Sequence, residues 1–335
     1  MGFYVSKLLG IESQDNGGPG GMIGFSQPYQ DPRPIDDDYD FPLDGKDIAS
    51  VSDKELLFAF ATVPRLYEYG YVTVSRVSKD LIIKFGPGVA MSEAETTKFA
   101  SETLQLPVPK VHRAFKVDVP DTGKVFGTPL EDIHLIVMDY IKGSTVKKAW
   151  RSFDIAAKEN VAQQVADVIN KMQSTVLNHM PVGPIGRAHN ETCQGPWFAG
   201  YGTGPFDTLK ELEDWCNHKV DDGIMVKQLK PETPRFEFRD TVLTHQDLGM
   251  RNLVVDEDMK VWVINWGCAG VYPKEFERAA LQLQAEDNEY ANMVLGRLSG
   301  RQGIVIDQFA KIVYGLRIGR IPSVNWASSL RRNQE

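Results

Sequence analysis

Chemistry concentrates in one stretch, Val242 to Gly270, which reads VLTHQDLGMRNLVVDEDMKVWVINWGCAG. His245, Asp247 and Asn252 sit in a polar loop, and Asn265 follows after two β-rich runs. Asp247 is a carboxylate that can accept a proton. Asn252 and Asn265 supply side-chain oxygens of the kind that hold a hard cation. A base beside hard oxygen ligands is what phosphoryl transfer from a magnesium nucleotide requires.

The elements that must hold these residues are legible nearby. Val242 and Leu243 read as a strand end leading into the loop. The runs Leu253–Val255 and Val261–Ile264 flank Asp256–Met259, a polar connector of hairpin length, so they predict an antiparallel pair. That pairing places Asp247 and Asn252 at the two ends of one loop and brings Asn265 in beside them.

Composition bounds the rest. The chain has 335 residues, 42% hydrophobic and 24% charged, with formal net charge −8, in the range of a soluble globular protein. Residues 1–46 carry five of the eight excess negative charges. No basic field exists to condense on nucleic acid. Cys193, Cys216 and Cys268 are far apart, odd in number and without a CxxC pair, which argues against a disulfide framework or zinc site and for a reducing, cytoplasmic setting. No run approaches the apolar length of a membrane span, and a secretory core is not visible at the N-terminus. Met1-Gly2-Phe3-Tyr4-Val5-Ser6 fits the loose pattern for myristoylation of Gly2, although two bulky aromatics follow the glycine.

Residues 11–47 are rich in Gly, Pro, Asp and Gln, so a flexible acidic tail is expected over 1–47. Order is expected from Ser52-Asp53-Lys54-Glu55, a capping box opening a helix over Glu55–Ala61. Three β-rich runs, LYEYG, YVTVSRVS and KDLIIKFG, predict a small antiparallel sheet, with Lys84 on its most apolar strand. A helix follows, opened by Ser92, in which Glu95 occupies the capping-box position. Pro107 and Pro109 force extended chain into the next strand. Ile155, Val161, Val165, Val168, Ile169 and Met172 recur at helical spacing over 155–173. The segment 183–207 reads as a loop, with Trp197 and Phe198 either filling a local core or lining a pocket. Phe276–Leu298 and Gly303–Leu316 read as helices, the first carrying Glu286, Asp287 and Glu289, a solvated acidic face or a cradle for a cationic acceptor.

His245-x-Asp247-x-x-x-x-Asn252 resembles the catalytic loop of the aminoglycoside phosphotransferase family, in its fungal branch, which shares the protein-kinase fold. VINWGCAGVYP resembles that family's second metal motif, in which an aspartate stands where this chain has Asn265. The resemblance implies an α+β, protein-kinase-like fold with a small antiparallel-sheet lobe over 48–141 and a larger, mainly helical lobe over 142–330. It implies an ATP-dependent phosphotransferase for a hydroxyl-bearing small molecule. Lys84 would hold the phosphates, oriented by Glu93, whose spacing fits the family. Backbone groups of Asp139, Tyr140 and Ile141 would meet the adenine, Asn252 and Asn265 would hold Mg²⁺, and Asp247 would be the catalytic base. Asn265 lacks the charge and bidentate reach of aspartate, so binding of ATP and Mg²⁺ is expected to be weakened. A lone Gly70 stands where a Gly-rich phosphate loop is looked for. Two other readings follow: a binding protein that has lost the metal site, and acid–base chemistry on a metabolite through Asp247 alone.

Overall fold

A computed structural model of the chain describes residues 38–69, 72–117, 133–198, 202–284, 286–299 and 306–312, with two short pairs at 124–125 and 128–129. Gly2, Gly70 and most of the expected tail lie outside the described residues. The chain divides into two compact units. The first holds residues 1–171, 184–188 and 248–267; the second holds 172–183, 189–247 and 268–335.

In the first unit Ser52 caps α1 (Asp53–Thr62) with a complete capping box: its side chain accepts from Glu55 N, and the Glu55 carboxylate accepts from Ser52 N. Then come β1 (Arg65–Tyr69), β2 (Val72–Arg76), β3 (Leu81–Gly86), α2 (Met91–Lys98), β4 (Val111–Val117) and β5 (Ile133–Asp139). The five strands form one antiparallel sheet in the order β1-β2-β3-β5-β4. Strand alternation gives this sheet two apolar faces. Ile83, Phe85, Leu135 and Val137 pack with Leu56 and Phe60 of α1. Ile136 and Met138 pack on the opposite face with Ala94 of α2.

Several expectations are corrected here. The helix near 92 is not opened by Ser92: Ala90 is its N-cap and Ser92 lies buried within its first turn. Glu95 is accordingly no cap and pairs with Lys98 at 2.9 Å. The acidic tail does not run to residue 47 without touching the core. Phe41 and Leu43 are buried, Leu43 N–H donates to Val77 O at 3.1 Å, and the Asp44 carboxylate accepts from Lys79 N. Charge density hid two apolar side chains sufficient to seat the chain. Arg76, also buried, stacks between Phe41 and Tyr140, 4.8 and 4.0 Å from their ring centroids.

After β5 the chain passes Gly143 into β6 (Ser144–Thr145), which joins β8 (Leu253–Val255) and β9 (Val261–Val263) in the order β9-β8-β6. The β8–β9 connector proves one residue longer than expected, Asp256–Lys260, closed by Asp256 N to Lys260 O at 3.1 Å. Gly143 is required sterically: a Cβ there would lie 2.3 Å from Val255 O. Gly143→Ala is therefore expected to destabilise the first unit by about 3 kcal/mol, read from its denaturation midpoint. Helix α3 (Ile155–Gln173) buries Val161, Val165, Val168, Ile169 and Met172, but Ile155 is exposed, because the first turn extends past the core.

In the second unit Thr208 caps α4 (Leu209–Met225) with a second capping box. Strand β7 (Thr241–Thr244) pairs antiparallel with β10 (Gly270–Pro273), so the two flanks of the 245–269 excursion return to one ladder. The expected single helix 276–298 is two helices, α5 (Glu275–Gln284) and α6 (Asn288–Leu295). Asp287 caps the second by accepting from Tyr290 N at 2.9 Å. A capping side chain thus breaks what apolar periodicity alone reads as continuous. Of the last expected helix, residues 306–312 are described, and they are helical. Trp197 and Phe198 are core residues, buried with Phe206, Trp215, Phe236, Tyr272, Phe276 and Phe309.

Candidate active site

Lys84 and Glu93 meet because of the strand alternation just described. Ile83 and Phe85 face α1, so Lys84 faces the side covered by α2, where Glu93 lies in the first turn of the helix. Their separation is 2.6 Å, Lys84 Nζ to Glu93 Oε1, and both are nearly excluded from water. A buried ammonium needs such a partner, since an unpaired one would shed its charge. Glu93, the acid that the family spacing picks out, reaches Lys84, while Glu95 pairs with Lys98. Gly267 runs close past this pair, and a Cβ on it would sit 3.3 Å from Glu93 Oε2.

Asn265 and Asn252 join the same cluster within the first unit. Asn252 ends a 3-10 turn (Met250–Asn252) whose amide donates to Gly249 O, and its carbonyl accepts from Ile264 N at 2.9 Å. Asn265 directly follows and has φ of 65°, a left-handed conformation that Asn tolerates better than most side chains. Its Oδ1 accepts from Lys84 Nζ at 3.0 Å, and its Nδ2 donates to Asn252 Oδ1 at 3.2 Å. Four side chains named from the sequence therefore form one chain: Glu93, Lys84, Asn265, Asn252.

Mg²⁺ does not fit the donor set so arranged. The cation favours one or two carboxylates besides substrate oxygens. Glu93 is engaged by Lys84, both amide oxygens already accept hydrogen bonds, and Asn265 turns an NH₂ group toward Asn252. Among the described residues no group of three or more His, Cys, Asp or Glu side chains is placed to hold a metal.

The segment expected to meet adenine is partly committed. Asp139 N–H donates to Lys110 O at 3.0 Å and Tyr140 N–H to Asp80 O at 2.7 Å. The Asp139 carboxylate accepts from Lys110 N and contacts His112 Nε2. Ile141 N–H takes part in none of the described backbone bonds.

The second unit carries the turn ending at Asp247. His245 is fully buried, and its Nδ1 accepts from Asp247 N at 3.2 Å, which makes it a brace for the turn. Gln246 has φ of 63°, and its Nε2 donates to Cys268 O at 3.0 Å. Glu277, missed from the sequence, organises this turn. Its Oε2 accepts from the amides of both His245 and Gln246, while Oε1 is buried with no hydrogen-bond partner. Burial pushes the Glu277 carboxyl up to about 7, against the lowering effect of those two amides, and the charge of Asp247 adds to the rise. The Tyr290 hydroxyl is raised too, by burial first and then by the charge of Glu277. The available signal was an acid between Phe276 and Ala279-Ala280 on the apolar face of a helix.

An antiparallel sheet with a buried lysine–glutamate pair on its α2 face, followed by a His-x-Asp-x4-Asn turn and a mostly helical second unit, is the α+β fold of the protein-kinase class. A family model described as "Phosphotransferase enzyme family" matches residues 71–301, well over half of the chain. The chain belongs to the phosphotransferase enzyme family. Solved structures similar to it include an ADP-bound aminoglycoside phosphotransferase APH(2'')-Ib at 13% identity, covering 79% of this chain and 88% of that one with TM-score 0.48. Another is the streptomycin–ATP ternary complex of APH(2'')-IIa, at 13% identity, 81% and 90% coverage and TM-score 0.44. No curated protein matches the chain.

Proposed function

We propose that the chain is a small-molecule phosphotransferase that binds a nucleoside triphosphate through Lys84 and the segment Asp139–Ile141, and a hydroxyl-bearing acceptor opposite Asp247. The observation that carries this reading is the buried Lys84–Glu93 pair at 2.6 Å in a member of the phosphotransferase family. In the reaction the acceptor hydroxyl loses its proton to Asp247 and its oxygen bonds the γ-phosphorus. The bond from that phosphorus to the β–γ bridging oxygen breaks, and the diphosphate leaves. Lys84 neutralises phosphate oxygens, held in place by Glu93, and Asn265 steadies Lys84. Without a charged metal ligand the rate gain rests on positioning and one ammonium, so turnover is slow. The division into a nucleotide lobe over 48–141 and an acceptor lobe over 142–330 belongs to this reading, as does the fungal branch. A cytoplasmic setting rests on three cysteines that are far apart, odd in number and without a CxxC pair.

A second reading, binding without transfer, is favoured by the Asn265–Asn252 hydrogen bond, which engages the Asn252 oxygen and turns the Asn265 NH₂ toward it. Labelled ATP offered with a panel of hydroxyl compounds separates the two. Transfer is expected in the native chain, and Asp247→Asn is expected to slow it about 100-fold or more while nucleotide affinity stays unchanged. Nucleotide binding with no transfer to any acceptor leaves the second reading in place.

A further inference from the structure

The direction in which the Asn265 amide points is fixed by its neighbours. Lys84 Nζ can only donate, so the atom 3.0 Å from it is the amide oxygen. The amide nitrogen must then face Asn252 Oδ1, 3.2 Å away. Turning the amide over would set an NH₂ against an ammonium and one oxygen against another. Asn265 itself is exposed, but Lys84, Glu93 and Asn252 are each at least nine-tenths buried, so a turned amide would face an ammonium and an oxygen that water reaches poorly.

Two consequences follow for an anionic ligand. The cluster of one ammonium, one carboxylate and two neutral amides has no net charge, whereas an aspartate at 265 would make it negative and repel phosphate. Donors also remain. The ammonium of Lys84 has three hydrogens and gives two of them to Glu93 and Asn265. The second hydrogen of the Asn265 amide enters none of the described hydrogen bonds. An N–H on each side chain is thus available for a phosphate oxygen.

We propose that this chain binds the phosphates of a nucleoside triphosphate without a divalent cation, the Lys84 ammonium and the Asn265 amide taking the place that a metal would otherwise fill. The proposal rests on the nucleotide reading given above, and it makes Asn265 a ligand-contacting residue in its own right.

The test is ATP binding by the purified full chain, followed calorimetrically in excess Mg²⁺ and in excess EDTA. The expected result is an affinity that agrees within about threefold between the two conditions. Asn265→Asp is expected to weaken binding in EDTA about tenfold or more and to recover it when Mg²⁺ is added. Native-chain binding that falls about tenfold or more on chelation overturns the metal-free site while leaving the nucleotide reading intact. Absence of binding in both conditions overturns the nucleotide reading and this inference with it. Thermal melting shows whether Asn265→Asp is folded. If it is not, the native-chain comparison decides alone.

Discussion

Lys84→Met is expected to destabilise the first unit by about 3–5 kcal/mol, because it leaves the Glu93 carboxylate buried with its cation removed. Glu93 and Lys84 expose only 4% and 8% of their surface, so solvent offers neither much compensation. The thioether is close to lysine in length and fills the same channel, which keeps the loss mainly electrostatic. Removing both charges together, as in Lys84→Met with Glu93→Leu, is expected to cost much less than the lysine change alone, since the penalty lies in the unpaired carboxylate. A chemical denaturation series on the two single variants and the double variant measures this coupling. Equal and additive losses would show that the pair is not coupled through its charges. Nucleotide affinity should fall in both Lys84 variants, by about 10- to 100-fold for a charge-assisted phosphate contact. The Glu93 change is not expected to restore it, which separates the binding role of Lys84 from its role in the fold.

Glu277 should reveal itself through pH. Its carboxyl is raised from an ordinary 4.5 to about 7 by burial, so the folded chain holds a proton that the unfolded chain has released. The associated stability is fully present below pH 4.5 and is lost as pH rises through about 7. The shift corresponds to something on the order of 3 kcal/mol across that window. The proton resides on Oε1, since Oε2 receives the two amides of the Asp247 turn. Glu277→Gln keeps one acceptor for those amides and cannot titrate. It is expected to be less stable than the native chain near pH 5 and to close or reverse the gap near pH 8. Glu277→Ala should lose about 3–5 kcal/mol, by leaving two buried amides unsatisfied and opening a cavity. Melting curves at the two pH values, read as variant against native chain, remove the contribution of every other titrating group. A gap that does not change with pH would place the proton elsewhere.

Much of the architecture was legible because its causes are local. Ser52 announces its helix within four residues through a side chain that reaches a nearby amide. The alternation in KDLIIKFG marks Lys84 as the one charged residue on a strand that buries both faces. Readings failed where a local signal had a competitor. Ser92 looks like a cap but falls inside the helix that Ala90 begins. Asp287 looks like one acid in a surface cluster but caps the start of a separate helix. Phe41 and Leu43 were outvoted by the charges around them, although two buried side chains suffice to anchor a segment.

The sequence by itself determined the set of reactive groups and their order along the chain, together with the family to which they point, since motif spacing and strand period are properties of neighbours. Only the tertiary structure decided that Lys84 and Glu93 are shut away from water together, that Glu277 holds the turn before Asp247, and that Asn265 offers its oxygen to a lysine 181 positions away. Those outcomes depend on which face of the sheet α2 covers and on which atoms are left in low dielectric with a single possible partner. Periodicity carries no information about either.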